Sequence, residues 1–134
     1  MRAIPTETPV IGANYSFTAT TTVSTTILAG ATTSGAVDMT TPNLAGFAPI
    51  AFFVPVGWTS AKMSLDVSLN GSTWFLLHFA DKDFVTKTIA GGETLIDPTY
   101  LLRGFPYFRI RSGTSAAPVT QVSAVTLVVL CGTV

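Results

Sequence analysis

Residues 62–79 read Lys62-Met63-Ser64-Leu65-Asp66-Val67-Ser68-Leu69-Asn70-Gly71-Ser72-Thr73-Trp74-Phe75-Leu76-Leu77-His78-Phe79. Met63, Leu65, Val67 and Leu69 alternate with Ser64, Asp66 and Ser68. A period of two is the signature of a strand with one face in a core and the other toward solvent. Asn70-Gly71 follows, the strongest short signal for a two-residue type I′ turn, because both central residues of that turn need positive φ. Residues 73–79 then return as the partner strand. Phe75, Leu77 and Phe79 lie on one side of it, with Trp74, Leu76 and His78 on the other. The expectation is an antiparallel hairpin that organises the core.

The same period spreads outward from this hairpin. Residues 15–27 place Tyr15, Phe17, Ala19, Thr21, Val23, Thr25 and Ile27 on one face and an unbroken hydroxyl row from Ser16 to Thr26 on the other. Threonine is β-branched and suits a pleated surface. Residues 50–54, apolar and flanked by Pro49 and Pro55, are too short for a helix and read as a buried strand. Further strands are expected at 84–89, 93–96 and 106–111, the last with Phe108 and Ile110 inward and Arg109 and Arg111 outward. Residues 99–104 are the only candidate helical turn. Residues 122–131 are apolar on both faces, as in a central strand covered on both sides. About eight short strands at this spacing predict an all-β fold, a single antiparallel β sandwich or jelly roll. Residues 1–12, with Pro5 and Pro9 and no alternation, read as an extended N-terminal arm, leaving residues 13–134 as the sandwich domain.

Composition narrows the function. The chain has 134 residues, one domain by size, with 48% apolar but only 10% charged residues. Seven basic and seven acidic side chains cancel, which argues against a nucleic-acid partner. Mean hydropathy is +0.53, yet no apolar run approaches the roughly 18–20 residues of a spanning helix. Residues 1–7 lack the apolar segment of a signal peptide. The expected surface is neutral and rich in hydroxyls, suited to packing against other proteins rather than to a membrane.

Catalytic chemistry is poorly supplied. His78 is the only histidine and Cys131 the only cysteine, so a standard structural zinc site and an internal disulfide are excluded. His78 sits in a regular strand and reads as a strand-face residue. Cys131 ends a buried run and reads as a core thiol. Asp81 and Asp83 could hold Ca²⁺ if Asp97 or Asp38 joined them, but a solvated loop is the simpler reading. Trp58, Trp74 and Tyr100 could form a sugar-stacking platform, or serve as core and interface anchors. Arg109 and Arg111, with Tyr107, could grip a partner's carboxylate, or pair with acids on their own sheet face. The chain is therefore expected not to be an enzyme and to hold no cofactor or metal. Tyr107, Arg109, Arg111, Trp58 and Trp74 are the candidate partner interface.

Residues 67–74 followed by Tyr107-Phe108-Arg109-Ile110-Arg111 resemble a pair of strands in galactose-binding-like jelly rolls. A second resemblance covers about residues 34–131. It runs through Ser34-Gly35-Ala36-Val37-Asp38, Pro55, Trp58-Thr59, Ala61, Ser68, Asn70-Gly71 and Trp74. It ends in Arg109-Ile110-Arg111-Ser112-Gly113-Thr114-Ser115-Ala116-Ala117-Pro118-Val119 and Gln121, its most specific part. That order resembles small β-sandwich structural proteins of tailed bacteriophages, of the capsid decoration kind. The resemblance implies a non-enzymatic virion component, assembled in the host cytoplasm; with the neutral, hydroxyl-rich surface and the paired arginines, the leading expectation is a cement protein on the capsid surface. Its partners would be the major capsid protein or other virion proteins. A homo-oligomer is implied, a trimer being favoured by cyclic symmetry. The alternatives are a tail, neck or fibre-associated module and a carbohydrate-binding host-attachment module.

Overall fold

The computed structural model describes residues 19–79, 82–83, 86–96 and 102–133. The arm expected over residues 1–12 lies outside them, as do residues 13–18, 84–85 and 97–101, and with them parts of the strands expected at 15–27 and 84–89 and of the turn at 99–104. Among the described residues ten strands follow in chain order: β1 (Ala19–Ile27), β2 (Val37–Asp38), β3 (Ala48–Phe53), β4 (Met63–Ser68), β5 (Phe75–Leu76), β6 (His78–Phe79), β7 (Lys82–Asp83), β8 (Thr94–Ile96), β9 (Tyr107–Ser112) and β10 (Val125–Thr133). They form two four-stranded antiparallel sheets, β1-β10-β3-β8 and β2-β9-β4-β5, and a small β6-β7 ribbon. The architecture is an all-β sandwich. Among the described residues no helix is long and apolar enough to cross a membrane.

Alternation builds the core between the sheets. Ile27 of β1, Phe52 of β3, Leu65 of β4, Phe108 and Ile110 of β9, and Leu127 and Val129 of β10 are all buried. Phe52 and Phe108 meet edge to face across the layers, their centroids 6.3 Å apart. That geometry sets the positive edge of one ring against the negative face of the other. Pro49 lies beside the register shift between Leu130 and Cys131. β8 pairs only with residues 51–53 of β3, so a residue without an N–H interrupts no ladder on that side.

Three expectations need correction. The Asn70-Gly71 turn does not close a two-residue hairpin. Val67 pairs with Phe75, so residues 69–74 form a longer loop between β4 and β5. The Ser68 hydroxyl accepts from the N–H groups of Asn70 and Gly71, and Asn70 Oδ1 accepts from Ser72 and Thr73. These local side-chain bonds offer the backbone an alternative to tight closure. The second correction concerns β4, which is buried on both faces, Ser64, Asp66 and Ser68 included. Leu69, expected inward with the other apolar residues of its run, is instead 77% exposed. Finally, β10 is central but fully covered on one face only. Val125, Leu127, Val129 and Cys131 enter the core, whereas Thr126 is exposed and Val128 and Leu130 are half-buried.

Candidate interaction surface

The outer face of the β2-β9-β4-β5 sheet carries the two arginines singled out from the sequence. Asp66 pairs in register with Arg109 and stands diagonal to Arg111, within reach of both on an antiparallel ladder. Its carboxylate takes a two-pronged grip from Arg111, Nη1 to Oδ1 at 2.9 Å and Nη2 to Oδ2 at 2.7 Å. Arg109 donates from Nε to Oδ2 at 2.8 Å and lays its guanidinium 4.5 Å from the ring centroid of Trp74. Asp66 is only 3% exposed, against 13% for Arg111 and 26% for Arg109. Charges this dry persist because the forked hydrogen bonds replace the water they lose. The arginines thus find within their own sheet the acid that the sequence left open to a partner.

The other candidates separate. Tyr107 is half-buried, with its ring against Gly71, whose φ is +80°. A Cβ at Gly71 would stand 3.2 Å from Tyr107 Cε1. Trp58, expected at a partner interface, is only 4% exposed and donates from Nε1 to the Ile89 carbonyl at 3.1 Å. It presents no surface, because its indole fills the core beneath the 55–59 loop. With Trp58 buried and Trp74 under Arg109, the sugar-stacking platform is not assembled. Its third member, Tyr100, lies outside the described residues.

Groups of possible chemical use are scattered. The exposed His78 ring lies by Nδ1 3.0 Å from the Leu76 carbonyl. Cys131 is fully buried, and desolvation pushes its thiol from 9.0 up to about 11. Asp38 accepts from both the N–H and the hydroxyl of Thr40. Asp81 and Asp97 lie outside the described residues, as does the side chain of Asp83. Among the described residues no three His, Cys, Asp or Glu side chains gather as metal ligands would.

A surface that sequence reasoning missed lies at one end of the sandwich. Gln121, fully buried, ties its loops together. Oε1 accepts from Thr59 N at 2.7 Å, and Nε2 donates to Thr59 O and to Ser112 Oγ at 3.1 and 2.7 Å. Its own carbonyl accepts from Gly30 N, and its N–H donates to Ala31 O. Next along the chain, Val122 N donates to the Thr59 hydroxyl. Leu28, Val56 and Val122 stand on these joined loops, 66%, 87% and 79% exposed. Each is a large apolar residue set among loop formers, in Leu28-Ala29-Gly30, Pro55-Val56-Gly57 and Val122-Ser123. That mismatch was the available signal.

No protein-family model, no curated protein and no solved structure matches the chain.

Proposed function

We propose that this chain is a non-enzymatic structural protein of a bacteriophage virion, a capsid decoration (cement) protein that binds the outer surface of the shell and stabilises the head. The observation that carries the reading is the apolar end formed by Leu28, Val56 and Val122 on loops that Gln121 holds in place. Large exposed apolar side chains on a pinned scaffold are the anatomy of a docking surface. The pairing of Asp66 with both arginines supports it too, since it takes three of the chain's few charges off the surface. The assignment to a virion rests on the resemblance of residues 34–131. Its mechanism would be linkage: a protein that binds only the assembled shell stabilises that state by its binding free energy.

Co-sedimentation with purified undecorated heads and, separately, with tails tests this reading. The wild-type chain should pellet with heads and raise the temperature at which they release their contents. A variant carrying Leu28→Ser, Val56→Ser and Val122→Ser should stay in the supernatant while unfolding like wild type. Binding to tails alone would move the protein to the tail or neck. Equal binding of the variant to heads would overturn the assignment of this surface.

A further inference from the structure

Among the described residues, one long edge of the sandwich is unguarded. β1 is the outermost strand of its sheet, and among the described residues its other side pairs with no strand. Proteins usually blunt such an edge with a charge, a proline, a bulge or a short strand. β1 has none of these: it runs nine residues, Ala19-Thr20-Thr21-Thr22-Val23-Ser24-Thr25-Thr26-Ile27, in unbroken register with β10.

Two hydrogen bonds show which backbone groups face outward. Ala19 N points toward β10, where it meets the Thr133 hydroxyl, whereas Thr26 O accepts from Gly35 N on the opposite side. In an antiparallel ladder these directions alternate by residue. The N–H and C=O groups of Thr20, Thr22 and Ser24 therefore point away from the sheet. Gly35 also accepts from the Thr25 hydroxyl and so covers the far end of the strand. The open stretch is centred on Thr22. Beside it a cavity of about 330 Å³ opens between the sheets, lined by Val23, Val37, Asp38 and Leu44 among others.

We infer that this edge is a self-association site, at which β1 of one copy pairs antiparallel with β1 of a second copy about a twofold axis through Thr22. The pairing brings Thr22 opposite Thr22, and Thr20 opposite Ser24, in both directions. About six main-chain hydrogen bonds result, two for each facing pair. Hydroxyl pairs across strands are favourable, β1 itself carries no charge, and the carboxylate of Asp38 beside it is held by the N–H and hydroxyl of Thr40. A second copy is thus the occupant whose chemistry the edge matches. The other edge of the same sheet, β8, offers only three residues, so head-to-tail pairing of β1 with β8 would leave most of β1 open. The twofold contact closes on itself and cannot propagate into a fibre. It therefore builds pairs, and a trimer would need a different surface. The inference stands apart from the virion reading, since it concerns the isolated chain.

Sedimentation equilibrium of the full chain and a register-specific cross-link test it together. Wild type should be a dimer that dissociates on dilution. Thr22→Lys should abolish the dimer while keeping the wild-type thermal transition of the dissociated chain, because it places two like charges on the axis. Under mild oxidation Thr22→Cys should form a disulfide-linked dimer, since facing Cα atoms at about 5.5 Å suit a disulfide. Ser24→Cys should not, because its counterpart is Thr20. Three results would overturn the inference: a wild-type monomer at all concentrations, a dimer that survives Thr22→Lys, or cross-linking of Ser24→Cys as readily as Thr22→Cys. A dimer that forms only after deletion of residues 1–12 would overturn it as well, by making the chain's own N-terminal segment the occupant.

Discussion

The side-chain amide of Gln121 pairs with the backbone of Thr59 as one strand pairs with another, accepting from its N–H at 2.7 Å and donating to its carbonyl at 3.1 Å. The residues are 62 positions apart in sequence, and the glutamine is fully buried. Gln121→Ala would strand the Thr59 backbone and the Ser112 hydroxyl without partners. The expected loss is about 2–4 kcal/mol of unfolding free energy, read from urea denaturation. Gln121→Glu should be comparably damaging, because an ionised carboxylate cannot donate to Thr59 O. A near-neutral Gln121→Ala would mean that water replaces the amide.

The Asp66 cluster sets an order of severity. Asp66→Asn removes the anion that faces two guanidinium groups and should cost about 3–5 kcal/mol. Arg111→Gln breaks the two-pronged grip and should follow. Arg109→Gln should cost least, since Arg109 is the most exposed of the three and makes a single bond to the acid. Urea midpoints of the three variants check the order. An Arg109→Gln variant less stable than Asp66→Asn would reverse the assignment of Asp66 as the hub.

Gly71 combines two constraints, a φ of +80° and the Tyr107 ring against the place a Cβ would occupy. Gly71→Val should lower stability by about 1–3 kcal/mol through backbone strain. Gly71→Asn tolerates the backbone better but meets the same ring, so it should fall between valine and wild type. Thermal unfolding of the pair, with and without Tyr107→Ala, separates strain from contact.

The buried Cys131 thiol gives a dependence on alkaline pH. Its folded value is raised from 9.0 to about 11, so the native state holds the proton more tightly than the unfolded chain. The resulting stability is fully present below about pH 9 and is lost as pH rises through about 11. Its full size is on the order of 2–3 kcal/mol. Urea midpoints between pH 8 and pH 11 should fall more steeply for wild type than for Cys131→Ala, and equal slopes would contradict the assignment. In the native state the thiol should resist alkylation at pH 8.

The fold was legible wherever alternation acted alone. Tyr107–Ser112 and Ala19–Ile27 follow the period-two reading, with Phe108, Ile110 and Ile27 inside. Legibility failed where side chains bond to nearby backbone. Asn70-Gly71 has the composition of a tight turn, but Ser68 and Asn70 redirect the chain into a longer loop. It failed again at Asp66: alternation puts the residue on the outer face, and nothing local says that two arginines more than forty positions away will cover it. Trp58 could be named as an anchor but not placed, because its partner carbonyl belongs to Ile89, 31 positions on.

The strand order also dictates when the protein can fold. β10 is the last of the described strands, yet it lies in the middle of its sheet, and its far end pairs with Ala19 across 114 positions. During synthesis β1 therefore stays unpaired, and β3 has only its short ladder with β8, until β10 has left the ribosome. Pairing so distant in sequence makes for slow folding and a period of exposure to aggregation. Ribosome-stalled chains ending before residue 125 should accordingly be protease-sensitive throughout, and resistance should arrive in a single step once β10 is free.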